Sequence, residues 1–382
     1  MSRVTASGAS AAQRLALLLL LCAVVAEPVI AADGVVPVAG LAPSQLLPSA
    51  ELAPSALLPP ALLPPGLEAR RVLAVDRGLA YLATTQLADG SWPGNGRWVG
   101  VTATIAFAFL AHGDLPSGGR YSAQITRAID WILCQQRGDG VFWCGGDAPI
   151  YQHALTTLTL AEAFGEIRRD GLRGKLQRAV DVIQAYQNPR GGWRHEVSRQ
   201  DGDELPSSVA QLMALRSAHN VGLTVRSEVI DAGTAYVRNC QRRLGAGGDG
   251  GFVYSYPSGA SNWHRTGAGI VCLAMAGHYR DDGIREGLEY LLRFQPVGGL
   301  PVQDPHWQPY GVWFTALAFQ QVQRNGAWER EAWRMVYQRH VQQLVDSQRS
   351  DGSWPGNWGP YPTATALLVL SLDEAVLPIL QM

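Results

Sequence analysis

Gln86-Leu87-Ala88-Asp89-Gly90-Ser91-Trp92 and Gln348-Arg349-Ser350-Asp351-Gly352-Ser353-Trp354 are one seven-residue pattern at two ends of a 382-residue chain, and this pattern decides the architecture. Looser copies lie between them: Gln136 to Phe142-Trp143, Gln187 to Gly191-Gly192-Trp193, Gln241 to Gly250-Gly251-Phe252, and Gln295 to Gly298-Gly299-Leu300. The glutamines stand 50 to 54 residues apart, so units of about 53 residues fill 67–382 six times over. Length alone, at roughly 150 residues per domain, suggests two or three domains; the repeat replaces them with one array.

Each unit carries two kinds of helix. The first is amphipathic: Val72, Val75, Leu79 and Leu82 recur at helical spacing while Arg70, Arg71, Asp76 and Arg77 face elsewhere. The second is small or apolar nearly all round, as in Thr102–Ala111, Ser207–Leu215, Thr266–Ala276 and Thr363–Leu370. A helix with no wet side has to be enclosed. Six enclosed and six half-exposed helices, alternating along the chain, close into two concentric rings. The expected fold is an all-α (α/α)6 toroid over 67–382.

The Gln-to-Trp turns resemble the repeat of squalene and oxidosqualene cyclases, and the ring is more broadly similar to protein prenyltransferase β-subunits. The resemblance implies a structural motif, with the Gln amide and Trp ring tying neighbouring helices together. Trp92, Trp143, Trp193 and Trp354 are then corner-filling residues, with glycine supplying the special backbone angles. The resemblance also implies a terpenoid-cyclase type of activity on a polyprenyl or triterpenoid substrate, but such folds host unrelated functions.

Residues 1–32 have the layout of a secretory signal peptide: Arg3 and Arg14, the apolar run Leu15–Ala26, then small residues to Ala32. Residues 33–66 are rich in Pro, Leu, Ala and Ser and read as an extended linker whose leucines can lie along the folded domain. An exported chain is expected, with membrane association possible. Cys134, Cys144, Cys240 and Cys272 invite the pairings Cys134–Cys144 and Cys240–Cys272, or else act as small buried hydrophobes. A net charge of −1 gives no excess cation for nucleic acid. Nothing in composition or spacing specifies an oligomeric state.

Alternation makes all inner helices parallel, so their positive amino termini converge on one mouth. Polar and aromatic residues gather just before these helices. Asp201, Asp203 and Glu204 are the candidate acid, since a cyclase protonating an alkene needs a carboxyl leading into an inner helix; the Asp-x-Asp-Asp cluster of such enzymes is not reproduced. The bland reading of such an acid cluster is helix capping. His195, Tyr254, Trp263, His264, His306, Trp307, Tyr310 and Trp313 are the candidate ligand-binding residues. Tyr151, His153, Arg265 and Tyr361 lie in the same segments. Asp147, Glu196, Asp203 and Asp304 are the carboxylates that could face each other for hydrolysis. His112, His219, His278 and His340 read as packing or surface residues. No Asp-x-Cys accompanies the Trp263-His264-Arg265 segment, so no zinc and no other metal or cofactor is expected; no Gly-Cys-Gly-Glu-Gln thioester or Gly-x-Ser-x-Gly turn occurs. The function expected first is binding of a small hydrophobic or extended ligand (lipid, glycan or peptide) at the mouth. The alternatives are a terpenoid cyclase or prenyltransferase-like enzyme, and a glycan-active hydrolase or lyase.

Overall fold

A computed structural model describes residues 62–94, 96, 98–200, 202–294, 308–374 and 376–381. Residues 1–61, read above as a signal peptide and most of a linker, and Asp201, Asp304, His306 and Trp307 lie outside these residues. Among the described residues there are twelve α-helices: α1 (Pro65–Thr85), α2 (Val99–Ala111), α3 (Ser122–Cys134), α4 (Pro149–Glu162), α5 (Leu172–Ala185), α6 (Leu205–Asn220), α7 (Ser227–Asn239), α8 (Trp263–Met275), α9 (Asp282–Phe294), α10 (Gln308–Val322), α11 (Ala327–Ser347) and α12 (Tyr361–Leu370). Each even-numbered helix packs against the next, and α12 returns to α2; the odd-numbered helices pack outside them, with α11 against α1. The fold is an (α/α)6 toroid. Every residue of α2 and of α12 is buried, as expected for the inner ring. Helix α1 starts at Pro65, with proline at the first turn, where its missing N–H costs nothing. Just before it, Leu63 is buried and the Leu62 carbonyl accepts from Gln338.

The repeated turn explains how the rings are tied. The Gln86 side-chain amide donates to the Gly90 carbonyl of its own turn (2.9 Å) and to Gln124 in the first turn of the next outer helix (2.8 Å). Gln136 does the same to Gly140 and Lys175, Gln187 to Gly191 and Val229, Gln241 to Gly250 and Gly283. Gln348 closes the circle on Ala74. The indole N–H of Trp92, Trp193 and Trp354 donates to a carbonyl of the preceding outer helix (Leu82, Ile183, Leu344) at 2.7 to 2.8 Å. The backbone N–H of each buried aromatic is received by the first turn of the inner helix: Thr102, Ser208, Thr266 and Thr363 serve Trp92, Trp193, Phe252 and Trp354.

The second unit departs from the sequence reading. Phe142, six residues after Gln136 just as Trp92 is six after Gln86, fills the corner and is fully buried. Trp143 lies outside it, with Arg137 over its ring at 5.5 Å. His153 takes the place of the Thr or Ser: Nδ1 accepts from the Phe142 N–H (3.0 Å), so the proton sits on Nε2 and faces the Ala179 carbonyl (3.0 Å). Burial holds the His153 pKa at about 4 and that of His340, in α11, at about 3. Both are neutral when folded and take up protons near 6.5 when unfolded. Their contribution is fully present above about pH 6.5 and is lost as the pH falls toward 4. Unfolding free energy should drop by roughly 1.4 kcal/mol per pH unit for each histidine in that window. Urea titrations at pH 7.5, 6 and 5 check this; equal midpoints at all three would refute it.

Cys134, Cys144, Cys240 and Cys272 form no disulfide. Cys240 and Cys272 are buried and Cys134 and Cys144 exposed, so neither expected pairing is formed and only two of the four are interior hydrophobes.

At the carboxyl ends of the inner helices the chain folds back into the ring. Leu377, Ile379 and Leu380, around the 3-10 turn Pro378–Leu380, are all buried. The Leu380 carbonyl accepts from the Gln320 and Gln321 amides of α10, each at 3.1 Å. Glu162, at the end of α4, receives the Ser217 hydroxyl (2.5 Å) and the Ile379 N–H (3.4 Å). Leu380→Ala should cost about 2–3 kcal/mol, the usual penalty of a cavity in a core. Denaturant titration reads it, and a loss below 0.5 kcal/mol would mean the tail is not seated.

Candidate functional site

The opposite end of the ring is the mouth, and contacts between successive units define it. Gly146 lies against the Trp98 ring, where a Cβ would be 2.2 Å from the indole nitrogen. The Ile150 N–H donates to the His195 carbonyl (3.0 Å) and the Leu205 N–H to the Tyr254 carbonyl (2.7 Å). Gly311 lies against Trp263 and His264, and Gly359 against Pro93. Glycine is required at Gly146 and Gly359 for a second reason, since both have left-handed backbones (φ 81° and 63°).

Asp203 and Glu204 do not form a cluster. The chain entering α6 is extended (Glu204 φ −137°, ψ 146°), and successive side chains in an extended segment leave on opposite sides. Asp203 turns outward and pairs with Arg190. Its neighbours are Tyr236 and Gly192; burial, reinforced by Cys240 and Asp203, holds the Tyr236 hydroxyl far above its ordinary pKa. Asp203 is therefore part of the packing behind the third turn. Glu204 turns inward, 5% exposed. Its Oε1 accepts from the Ser207 hydroxyl (2.5 Å) and its Oε2 meets His195 Nδ1 (3.0 Å). The imidazole is 42% exposed, and its other nitrogen lies 3.8 Å from Glu196. A buried carboxyl is thus joined through one ring to solvent.

Two tyrosines lie within reach of this carboxyl's charge, Tyr151 in α4 and Tyr310 in α10, and Tyr361 in α12 lies near both of them. Burial raises all three phenols, and the Glu204 charge adds to the effect at Tyr151 and Tyr310. Three of the six inner helices thus give a first-turn tyrosine to the same region. Trp358 stands edge-on to Tyr361 at 5.7 Å. Beneath them Tyr310 packs on Phe314 (4.5 Å) and Phe314 on Trp313 (4.7 Å), while Trp313 meets Phe107 of α2 edge to face at 6.3 Å. Phe107 and Trp313 form a floor under this side of the mouth. Arg265, in the first turn of α8, lies over the Tyr254 ring at 5.6 Å.

The sequence-derived candidates therefore separate. His195, Tyr254 and Tyr310 stand with Glu204 at the mouth. Trp313 lies lower, in the floor. Trp263 and His264 stack on one another (3.9 Å) and pack on Gly311, with Asn262 Oδ1 receiving the His264 N–H. They fasten α8 to α10. Asp201, His306 and Trp307 lie outside the described residues. Ser207 was not singled out by sequence; its spacing of three from Glu204 is the one available signal, that of neighbours on a helix turn. Among the described residues no three His, Cys, Asp or Glu side chains gather to hold a metal ion, and no helix is long and apolar enough to cross a membrane.

No family model matches the sequence. The chain is 28% identical over 150 residues to drimenyl diphosphate synthase of Streptomyces showdoensis, a stretch that is 38% of this chain and only 27% of that protein. Among solved structures it is similar to the type II terpene cyclase MstE from Scytonema (TM-score 0.56, 15% identity, 80% of this chain and 98% of the other). It is also similar to the GH76A α-1,6-mannanase of Salegentibacter sp. HEL1_6 (TM-score 0.58, 8% identity, 79% and 98%). At these identities the likeness is one of fold: the chain is an α/α toroid of terpene-cyclase-like type, an architecture that glycan-cleaving enzymes share.

Proposed function

We propose that the protein is an exported acid catalyst of terpenoid-cyclase type, in which Glu204 protonates an alkene of an isoprenoid substrate held in the mouth. The observation that carries this reading is Glu204 itself: a buried carboxyl, fixed by Ser207, facing Tyr151 and Tyr310, and joined to solvent through His195. In the productive state Glu204 holds the proton. The alkene π electrons take it, a C–H bond forms, and the carboxylate left behind accepts from Ser207 and His195. The carbocation formed on the neighbouring carbon is attacked by a further double bond, making the new ring bond. Phenol π faces stabilise positive charge better than aliphatic walls do. The final cation loses a proton to water, and His195, wet on one side, takes a proton from solvent as it returns its own to Glu204, which restores the count. The 28% identity to drimenyl diphosphate synthase and the fold shared with MstE support this class of chemistry.

A second reading, ligand binding without turnover, draws on the Phe107–Trp313 floor. Trp313 is five residues into α10, which at 1.5 Å per residue puts it about 8 Å below the start of that helix, enough for one or two rings. Purified protein incubated with farnesyl diphosphate, geranylgeranyl diphosphate and squalene, extracted and analysed by mass spectrometry, decides between them. A cyclic isomer of a substrate supports the catalytic reading; saturable binding with unchanged substrate supports the other. Release of mannose from α-1,6-mannan would displace both.

A further inference from the structure

A cleft of about 440 Å³ lies between α6, α7 and α8, beside the carboxyl halves of these two inner helices. Small-molecule sites run from roughly 300 to 1,000 Å³. Its floor is apolar: Leu212, Met213 and Leu215 of α6 with Cys272 and Met275 of α8, all buried except the half-buried Met275. Helix α7 turns one face to the cleft, on which Asp231, Thr234 and Arg238 follow at intervals of three and four. That spacing sets side chains next to one another on a helix.

These three residues lack partners that the toroid supplies elsewhere. Thr234 is only 6% exposed, yet its hydroxyl has no hydrogen bond among the described residues. By contrast the buried Thr104, Thr156 and Thr159 each donate to the carbonyl four residues back. Arg238 gives Nη2 to Asp281 (2.9 Å), which fixes the guanidinium, and leaves Nε buried without an acceptor. Asp231 has neither an ion pair nor a hydrogen bond among the described residues, and Arg216, exposed on the α6 wall of the same cleft, does not pair with it. Two donors without an acceptor oppose folding. Here they stand one turn apart, over an apolar floor, with unpaired charges of both signs at the rim.

We propose that this cleft is a binding site for an apolar α-amino acid, independent of the chemistry at the mouth. The ligand carboxylate accepts from the Thr234 hydroxyl and Arg238 Nε, and Arg216 adds its attraction from the opposite wall. The ammonium donates to Asp231. One helical turn, about 5–6 Å between Cβ atoms, suits an ammonium and a carboxylate carried on a single carbon. Charge-assisted hydrogen bonds orient that end, and the side chain buries its apolar surface on Leu212, Met213 and Met275.

Calorimetry on the full chain tests this with L-phenylalanine, 3-phenylpropanoate (no ammonium), phenethylamine (no carboxylate) and L-serine (no apolar side chain). Phenylalanine should bind at least tenfold more tightly than each of the other three. In Asp231→Asn its advantage over 3-phenylpropanoate should fall below threefold; this residue is exposed, so the fold is kept. Thr234→Val, nearly the same shape, should weaken phenylalanine and 3-phenylpropanoate alike, by about tenfold. No saturable binding of phenylalanine, equal binding of phenylalanine and 3-phenylpropanoate, or a preference that survives Asp231→Asn overturns the assignment. So does a loss of phenylalanine binding in Glu204→Gln, which would put the amino acid at the mouth.

Discussion

Glu204→Gln should lower the rate of product formation by 10²- to 10⁴-fold while leaving substrate affinity within about threefold of the parent, because positioned general acids contribute on that scale. The amide keeps the shape of the carboxyl and can still meet Ser207 and His195, so the ring and its mouth stay intact. It has no proton acidic enough for a carbon–carbon double bond. His195→Ala should give a smaller loss, since in the proposed mechanism the imidazole resupplies the proton and does not touch the alkene. Single-turnover and steady-state measurements separate the two: loss of Glu204 slows the first turnover, loss of His195 the later ones. A Glu204→Gln enzyme that still turns over within tenfold of the parent would remove the carboxyl from the mechanism.

Arg190→Ala should cost about 3 kcal/mol of stability, and Asp203→Asn only about 1 kcal/mol, although they remove the two halves of one ion pair. The asymmetry follows from exposure. Arg190 is 37% exposed at the side chain and Asp203 0%, so an abandoned Arg190 turns to water whereas an abandoned Asp203 remains a charge in the packing beside Tyr236. The Arg190 figure is set at the low end for buried pairs because one partner is already partly solvated. Urea titrations of both variants at pH 7.5 read this. Equal losses for the two would show that Asp203 is not held as described.

The ring was legible in the sequence because its determinants are local and repeated. Gln86 and Gln348 each reach the glycine of their own turn and the next outer helix around the ring, and the inner helices betray themselves by having no polar stripe. The slip at Trp143 has the same origin: counting residue types favours the tryptophan, while counting six from the glutamine selects Phe142. The site was less legible because it is assembled from single residues of different units. That Asp203 and Glu204 part company depends on an extended entry to α6, which neither acid dictates. Tyr151, Tyr310 and Tyr361 lie far apart along the chain and share one property, a place in the first turn of an inner helix. His264 looks like a site residue in sequence and is a fastener, because Gly311 lets α10 approach it.

The buried tail at Leu377, Ile379 and Leu380 fills the ring at the carboxyl ends of the inner helices, so under the proposed function the mouth is the way in and out. A guest that enters head first has to back out along the same route, past any newcomer waiting at the rim. Departing product and arriving substrate then compete for one passage, so accumulated product should slow the protein as a competitive inhibitor.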